Sequence, residues 1–257
     1  ENNKIQKSTE AFEKGASILK DIHIPKRNRT LQSPYFQITS ALAYYAGYQY
    51  SKSYTLLSNL DFETKTSKLI SSFLKKDFSK LLELVNNILL SEEYSNDYIK
   101  ELEDLLDFNY HIYTFLLAKS FAALLEFIFS GSRKWLESSK DIINDLLNLT
   151  AIDKDPSMWW LIRLLSHIIN GFSNYSTWHS LYNLLENCDN DLLNRYVKCL
   201  AFAKPRITEL FISQKIALST VLGKEGGVVS LPTGSGKTRV AEVTILQNLI
   251  DYKNSII

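Results

Sequence analysis

Along most of the chain, apolar positions recur three and four residues apart. This is the period of helices that bury one face. Ser8 or Thr9 can cap a first helix running to about Ile22. Ser33-Pro34 is a good N-cap and first-turn pair, and it closes the loop "PKRNRTLQSP" at 25–34. "YFQITSALAYYAG" then reads as a helix ending at Gly47, a plausible glycine just past a helix end. "YSKSYTLLSNL" follows at once, so 34–60 is expected to be a helical hairpin. Further helices are expected at about 64–75, 77–90, 96–130 with a break near 107, 138–149, 156–170, 176–187 and 191–203. Gly131 and Gly171 suit helix ends, and Asp155-Pro156 suits a helix start.

The pattern changes near residue 205. Gly223, Gly226, Gly227, Gly234 and Gly236 cluster late in the chain, and so do Val221, Val228, Val229, Val240 and Val243. Glycine and β-branched residues belong to turns and strands more than to helices. "AKPRITE" at 203–209 is the seam, with Pro205 breaking the preceding helix. The expected fold is therefore mainly α. An irregular multi-helix domain at 1–204 is followed, at 205–257, by an α/β segment. The hairpin "ALAYYAGYQYSKSYTLL" resembles one tetratricopeptide-type unit, but no second copy occurs at a fixed period.

Composition narrows the partners. The 257 residues carry a formal net charge of +1, so no global field advertises nucleic acid. The densest basic cluster is "PKRNR" at 25–29; it reads as a nucleic-acid contact or, more plainly, as a solvated loop. Cys188 and Cys199 are too few for a disulfide scaffold. His23, His111, His167 and His179 show no metal-ligand spacing. No uninterrupted apolar run reaches the ~18 residues of a membrane span, and no signal peptide opens the chain, so a cytoplasmic protein with no membrane partner is expected. The sequons at Asn28, Asn148 and Asn174 are then incidental. Met158 is the only methionine, so residue 1 is not expected to be the natural start. Trp135, Trp159, Trp160 and Trp178 read as core rather than as a stacking surface.

The candidate chemistry lies in "GGVVSLPTGSGKTRVAEVTILQNLI" at 226–250. Val228 to Leu231 suits a buried parallel strand. Gly234 and Gly236 permit close backbone approach. Lys237 and Thr238 open a helix continuing through Val240, Val243, Leu246 and Ile250. The first amides of a helix have no internal partner and lie at the positive end of its dipole. Amides from Thr233 through Gly234, Ser235 and Gly236 to Thr238 can wrap a phosphate. Lys237 would then meet the β- and γ-phosphates of ATP, and the Thr238 hydroxyl would hold Mg2+.

"LPTGSGKT" at 231–238 resembles motif I of superfamily 2 helicases, where Leu231 is the strand end leading into the loop. "TELFISQKIAL" at 208–218 resembles their Q motif, with Gln214 placed to read adenine and Phe211 to line its pocket. Ile212 stands where that family often has proline. The resemblance covers about 206–257 and is nearest to DEAD/DEAH-type and Ski-like helicases. It implies that 205–257 is the first strand, phosphate loop and helix of a RecA-like α/β domain, and that the chain is the N-terminal piece of a bacterial ATP-dependent helicase acting on DNA or RNA. Large antiphage-defence helicases also carry long helical N-terminal regions. No D-E-x-x box follows Lys237, and the acidic pairs Glu92-Glu93 and Glu103-Asp104 lie upstream, so this chain alone is expected not to hydrolyse ATP efficiently. The alternative is a helical module that docks a protein partner or regulates a motor, without activity of its own.

Overall fold

The computed structural model describes residues 2–26, 29–32, 34–58, 60, 62–95, 98, 104–185, 190–222, 228–230 and 236–252. The chain is mainly helical. It forms two compact units, 1–127 with 132–170, and 128–131 with 171–257. The boundary in composition at 204/205 therefore differs from the boundary in packing. Residues 171–204 belong to the same unit as 205–257.

The first unit begins with α1 (Asn2–Lys20), earlier than the Ser8/Thr9 cap anticipates. The segment expected to be a loop is instead a small antiparallel hairpin, β1 (His23–Lys26) with β2 (Arg29–Gln32), His23 facing Gln32. Cross-strand backbone pairing satisfies groups that a loop would leave to water. Next come α2 (Pro34–Ala46) and α3 (Tyr50–Ser58), the expected helical hairpin. They are followed by α4 (Lys65–Leu74) and α5 (Phe78–Leu89), close to expectation. Thr64 and Asp77 cap these two by accepting from the Ser67 and Lys80 amides. A short 3-10 turn, Glu92–Tyr94, precedes α6 (Leu105–Ser130). The unit's last helices are α7 (Arg133–Ile152) and most of α8 (Pro156–Tyr175). Gly171 lies inside α8 rather than at its end.

Helix ends explain a discrepancy at Gly47. The left-handed residue after α2 is Tyr48, with φ 61°, not the glycine. Tyr48 N–H donates to Tyr45 O, and Gln49 N–H to Tyr44 O, the paired bonds of a Schellman ending. Gly47 is needed for another reason. A Cβ there would stand 3.0 Å from the Phe12 Cβ, so the missing side chain lets α1 approach α2. Lys76 and Lys154, both with φ 56°, end α4 and α7 in the same way.

Polar side chains tie α1 down. Gln37 Nε2 donates to Lys20 O at 2.9 Å, and buried Ser40 Oγ donates to Ala16 O at 2.7 Å. Lys20 O is one of the last four acceptors of α1, which lack partners within the helix, and Ala16 O lies one turn earlier. Leu69, Phe73, Leu117 and Phe121 form an apolar part of the core sealed from solvent, with the Phe73 and Phe121 rings 5.0 Å apart.

The stretch Asp107–Ser130 of α6 is long and apolar enough to cross a membrane by length and composition, although it holds no uninterrupted apolar run of that length. His111, Thr114, Lys119, Ser120 and Glu126 interrupt the run without lowering its average enough. Its packing is that of a core helix. Thr114 hydroxyl pairs with Thr66 at 3.0 Å, and Ser120 bonds both the carbonyl and the hydroxyl of Ser139 on α7.

The second unit contains α9 (Thr177–Leu184), α10 (Asn190–Phe202), α11 (Ile212–Val221) and α12 (Lys237–Tyr252). Helix α10 stops just before the anticipated Pro205. The segment that follows in chain order joins back by backbone bonds. Thr177 N–H donates to Thr208 O, and Leu210 N–H to Tyr175 O, flanking an isolated bridge between Ser176 and Glu209. Trp178 is buried and donates its indole N–H to Ile128 O at 2.8 Å. Trp135 and Trp160 are exposed and Trp159 is half-buried, so the core expectation for the tryptophans holds for Trp178 alone.

The expected buried strand is not formed. Residues 228–230 have no regular structure, and Val228 is 99% exposed. A parallel strand is stable only when neighbouring strands satisfy its backbone groups. Among the described residues no segment pairs with this one. Leu231, Pro232 and the loop residues Thr233, Gly234 and Ser235 lie outside the described residues.

Candidate functional site

The described part of the predicted site is the junction of α11 and α12. The sequence places Gln214 three residues after Phe211, the residue preceding α11. At that spacing a glutamine can reach back to the backbone at the helix start. Gln214 Oε1 accepts from the Phe211 N–H at 2.9 Å. Its Nε2 donates to Gly236 O at 3.1 Å. Gln214 is thus buried and linked at both ends of its amide, not a surface glutamine.

Gly236 stands immediately before α12 with φ 75°. A Cβ there would collide with Gln214 Nε2, so glycine is required both by the backbone angle and by the close approach. Lys237 and Thr238 form the first turn of α12 and are exposed. The structure therefore brings together Gln214, Gly236, Lys237 and Thr238. Phe211 is partly exposed beside them. The amide of Gln214 retains one N–H and one lone pair beyond its two protein bonds, which are the donor and the acceptor that the adenine role needs.

One constellation has no single-segment signal. Arg239 on α12 pairs with Glu242 one turn on and donates to the Tyr196 hydroxyl on α10 at 3.3 Å. Tyr196 in turn donates to Glu242 Oε2 at 3.1 Å. Burial pushes the Tyr196 hydroxyl above the ordinary tyrosine range, and the Arg239 guanidinium opposes that shift. The Arg239–Glu242 spacing is visible in sequence, but Tyr196 lies more than forty residues upstream. These contacts hold the start of α12 against α10. On its core face α12 buries Val240, Val243, Leu246 and Ile250, the four positions expected from the helical period.

Taken together, this is a mainly helical chain of two units, with a glycine-fronted helix held by a buried glutamine. Hachiman protein HamB of Bacillus cereus is 34% identical to it over 245 residues, covering 94% of this chain and 21% of that protein. The chain spans about a fifth of the length of the curated relative it matches. No family model matches. The comparison corrects the superfamily 2 resemblance. That resemblance rested on about 206–257, whereas the similarity to HamB runs through nearly all of the chain. The assignment to an ATP-dependent helicase, its activity as an ATP hydrolase and the motif names attached to it do not stand on these findings.

Proposed function

We propose that this chain is a helical protein-interaction region of a HamB-like antiphage-defence protein. The observation that supports it is the reach of the similarity, which extends across 94% of the chain and so through its helices rather than one loop. Packed helix pairs with capped ends make a rigid surface, and a rigid surface lowers the entropic cost of binding. A competition experiment tests the reading. The chain is expressed in excess in cells protected by the full-length Bacillus cereus relative. A region that engages a partner occupies that partner, so phage plating rises. Unchanged protection at high expression of the folded chain counts against the reading.

A second reading concerns the loop. We propose ATP with Mg2+ as the ligand of residues 233–238. Its support is the left-handed Gly236 in front of α12 and the exposed first turn of that helix at Lys237 and Thr238. When bound, the nucleotide would contribute the phosphate charge that helix N-termini attract. Lys237 would meet that charge and Thr238 would hold the metal. ATP titration of the wild-type chain and of Lys237→Ala checks this. Equal affinities, or no binding by either, would remove it.

A further inference from the structure

Helices α1 and α8 of the first unit run antiparallel. Gln37 and Ser40, near the start of α2, bond the Lys20 and Ala16 carbonyls of α1. In the first turn of α2, the Tyr35 hydroxyl donates to Ser157 O, in the first turn of α8, at 3.0 Å. The start of α8 therefore lies near the end of α1. Nearly three turns further along α8, His167 meets Phe12 of α1, ring centres 5.1 Å apart.

Beside that contact each helix presents a stripe to solvent. On α1 it is Lys4, Ala11, Gly15 and Ile18, which share one face at helical spacing. Ile18 is 60% exposed. Among the described residues, nothing outside α1 lies within 4 Å of where a Gly15 Cβ would stand. On α8 the stripe is Trp160, 54% exposed, and exposed Arg163, with His167 one turn beyond. Because the helices are antiparallel, Ile18 and Trp160 fall at the same end, and Arg163 falls at the level of Gly15. The face therefore has an apolar end, a shallow trough at Gly15 and cations along the rest. Neither stripe contains a carboxylate. Among the described residues, neither Lys4 nor Arg163 makes an ion pair.

We propose that this face receives an acidic amphipathic helix of a protein partner, with an apolar end against Ile18 and Trp160 and carboxylates toward Arg163 and Lys4. The proposal rests on the interaction reading above and gives that partner its chemistry. Charge complementarity selects the occupant, because guanidinium and ammonium groups with no carboxylate of their own attract an acid. Tryptophan and arginine are also the side chains on which binding energy concentrates. Two helix ridges with a trough between them suit a third helix. A nucleic-acid strand presents phosphates in series to an extended basic track. A membrane surface takes a continuous apolar face. Here the cations are few and the apolar part is confined to one end.

The test uses the whole chain and a fluorescent, end-blocked peptide with glutamates on one helical face and leucines on the other. The comparisons are the same peptide with glutamine for glutamate, oligothymidylate, and vesicles of phosphatidylserine with phosphatidylcholine. The acidic peptide binds wild type, more weakly as salt rises, and the glutamine peptide binds at least about tenfold more weakly. Arg163→Gln and Trp160→Ser each weaken binding about tenfold, the scale of one lost charge-assisted bond or one uncovered anchor. Gly15→Gln fills the trough and also weakens binding, while raising thermal stability because glycine is a poor residue inside a helix. That loss of binding is then not a loss of folding. Lys80→Gln, on α5, leaves binding unchanged. Absence of acidic-peptide binding by wild type overturns the proposal, as does equal affinity of wild type, Arg163→Gln and Trp160→Ser. Preference for oligothymidylate or vesicles over the peptide also overturns it. In the cellular competition, a chain carrying Arg163→Gln and Trp160→Ser together should no longer raise phage plating. If it competes as well as wild type, this face is wrong and the interaction reading stands. If neither form competes, the interaction reading falls and this proposal falls with it.

Discussion

The contact between Gln214 and Gly236 can be measured as a coupling. Gly236→Ala adds one methyl group, and two separate costs follow. Alanine in the left-handed region costs about 1–2 kcal/mol. The new Cβ also overlaps the position of Gln214 Nε2, so the amide must swing away. It then loses its bonds to Gly236 O and to the Phe211 N–H. Two neutral hydrogen bonds are worth about 2 kcal/mol net. The single variant should therefore lose about 3–4 kcal/mol in the stability of the α11–α12 junction. Gln214→Ala alone removes the same two bonds and costs about 2 kcal/mol, with no backbone strain. In Gly236→Ala/Gln214→Ala the overlap is gone, leaving about 3–4 kcal/mol. That is less than the sum of the singles by about 2 kcal/mol, and this difference is the coupling energy. Hydrogen exchange of peptides covering 212–221 and 237–252 reads the junction locally. Additive effects would refute the reasoning, and so would a Gly236→Ala variant with wild-type protection in both helices.

Three further outcomes are expected. Ser120→Leu puts a larger side chain into a buried position bonded to Ser139, so thermal unfolding should show a loss of about 1–3 kcal/mol from overpacking. A neutral or stabilising effect together with vesicle binding would instead make α6 a lipid-facing helix. Arg239→Ala removes the Arg239 bond to Tyr196 on α10 and the ion pair with Glu242 within α12, leaving only the Tyr196–Glu242 bond, and should cost about 1.5–3 kcal/mol, seen as faster exchange in 190–202 and 237–244 together. Faster exchange in only one of the two segments would contradict a link between α10 and α12. His167 packs on Phe12, ring centres 5.1 Å apart, and burial, then Arg163, hold its pKa below the ordinary value of about 6.5. The folded state therefore takes up a proton less readily than the unfolded state. The stability tied to neutral His167 is present above pH about 6.5 and is lost as pH falls through the lower folded value. Wild type should lose more stability than His167→Gln on acidification through that window, and equal losses would exclude the effect.

Much of the fold was legible because helical periodicity reports burial directly. Val240, Val243, Leu246 and Ile250 were placed on one face and are buried, and the hairpin at 34–60 is present. Helix ends were less legible. Glycine is the usual sign of a left-handed ending, but here Tyr48, Lys76 and Lys154 occupy those positions. Nothing in their side chains advertises it. The segment 228–230 carries strand-type residues, yet strand formation depends on partners that local sequence does not specify. The site was legible in its residue types and less so in its connections. Gln214 was singled out by residue type and position, but its bonds to Phe211 and Gly236 were not foreseen. The Tyr196–Arg239–Glu242 contacts needed three dimensions, since the tyrosine and the ion pair come from different helices. A cavity of the first unit likewise gathers Glu13 and Lys20 from one helix and Lys52 from another.

The central claim is that this helical region engages a protein partner. The most direct measurement is quantitative affinity purification, from phage-infected cells, of the full-length relative and of a form lacking the counterpart of residues 1–204. At least one protein should be recovered with the intact polypeptide and depleted from the shortened one, and depleted again when the isolated chain is present in excess. Identical recovery from both forms, with each shown to be folded, would contradict it.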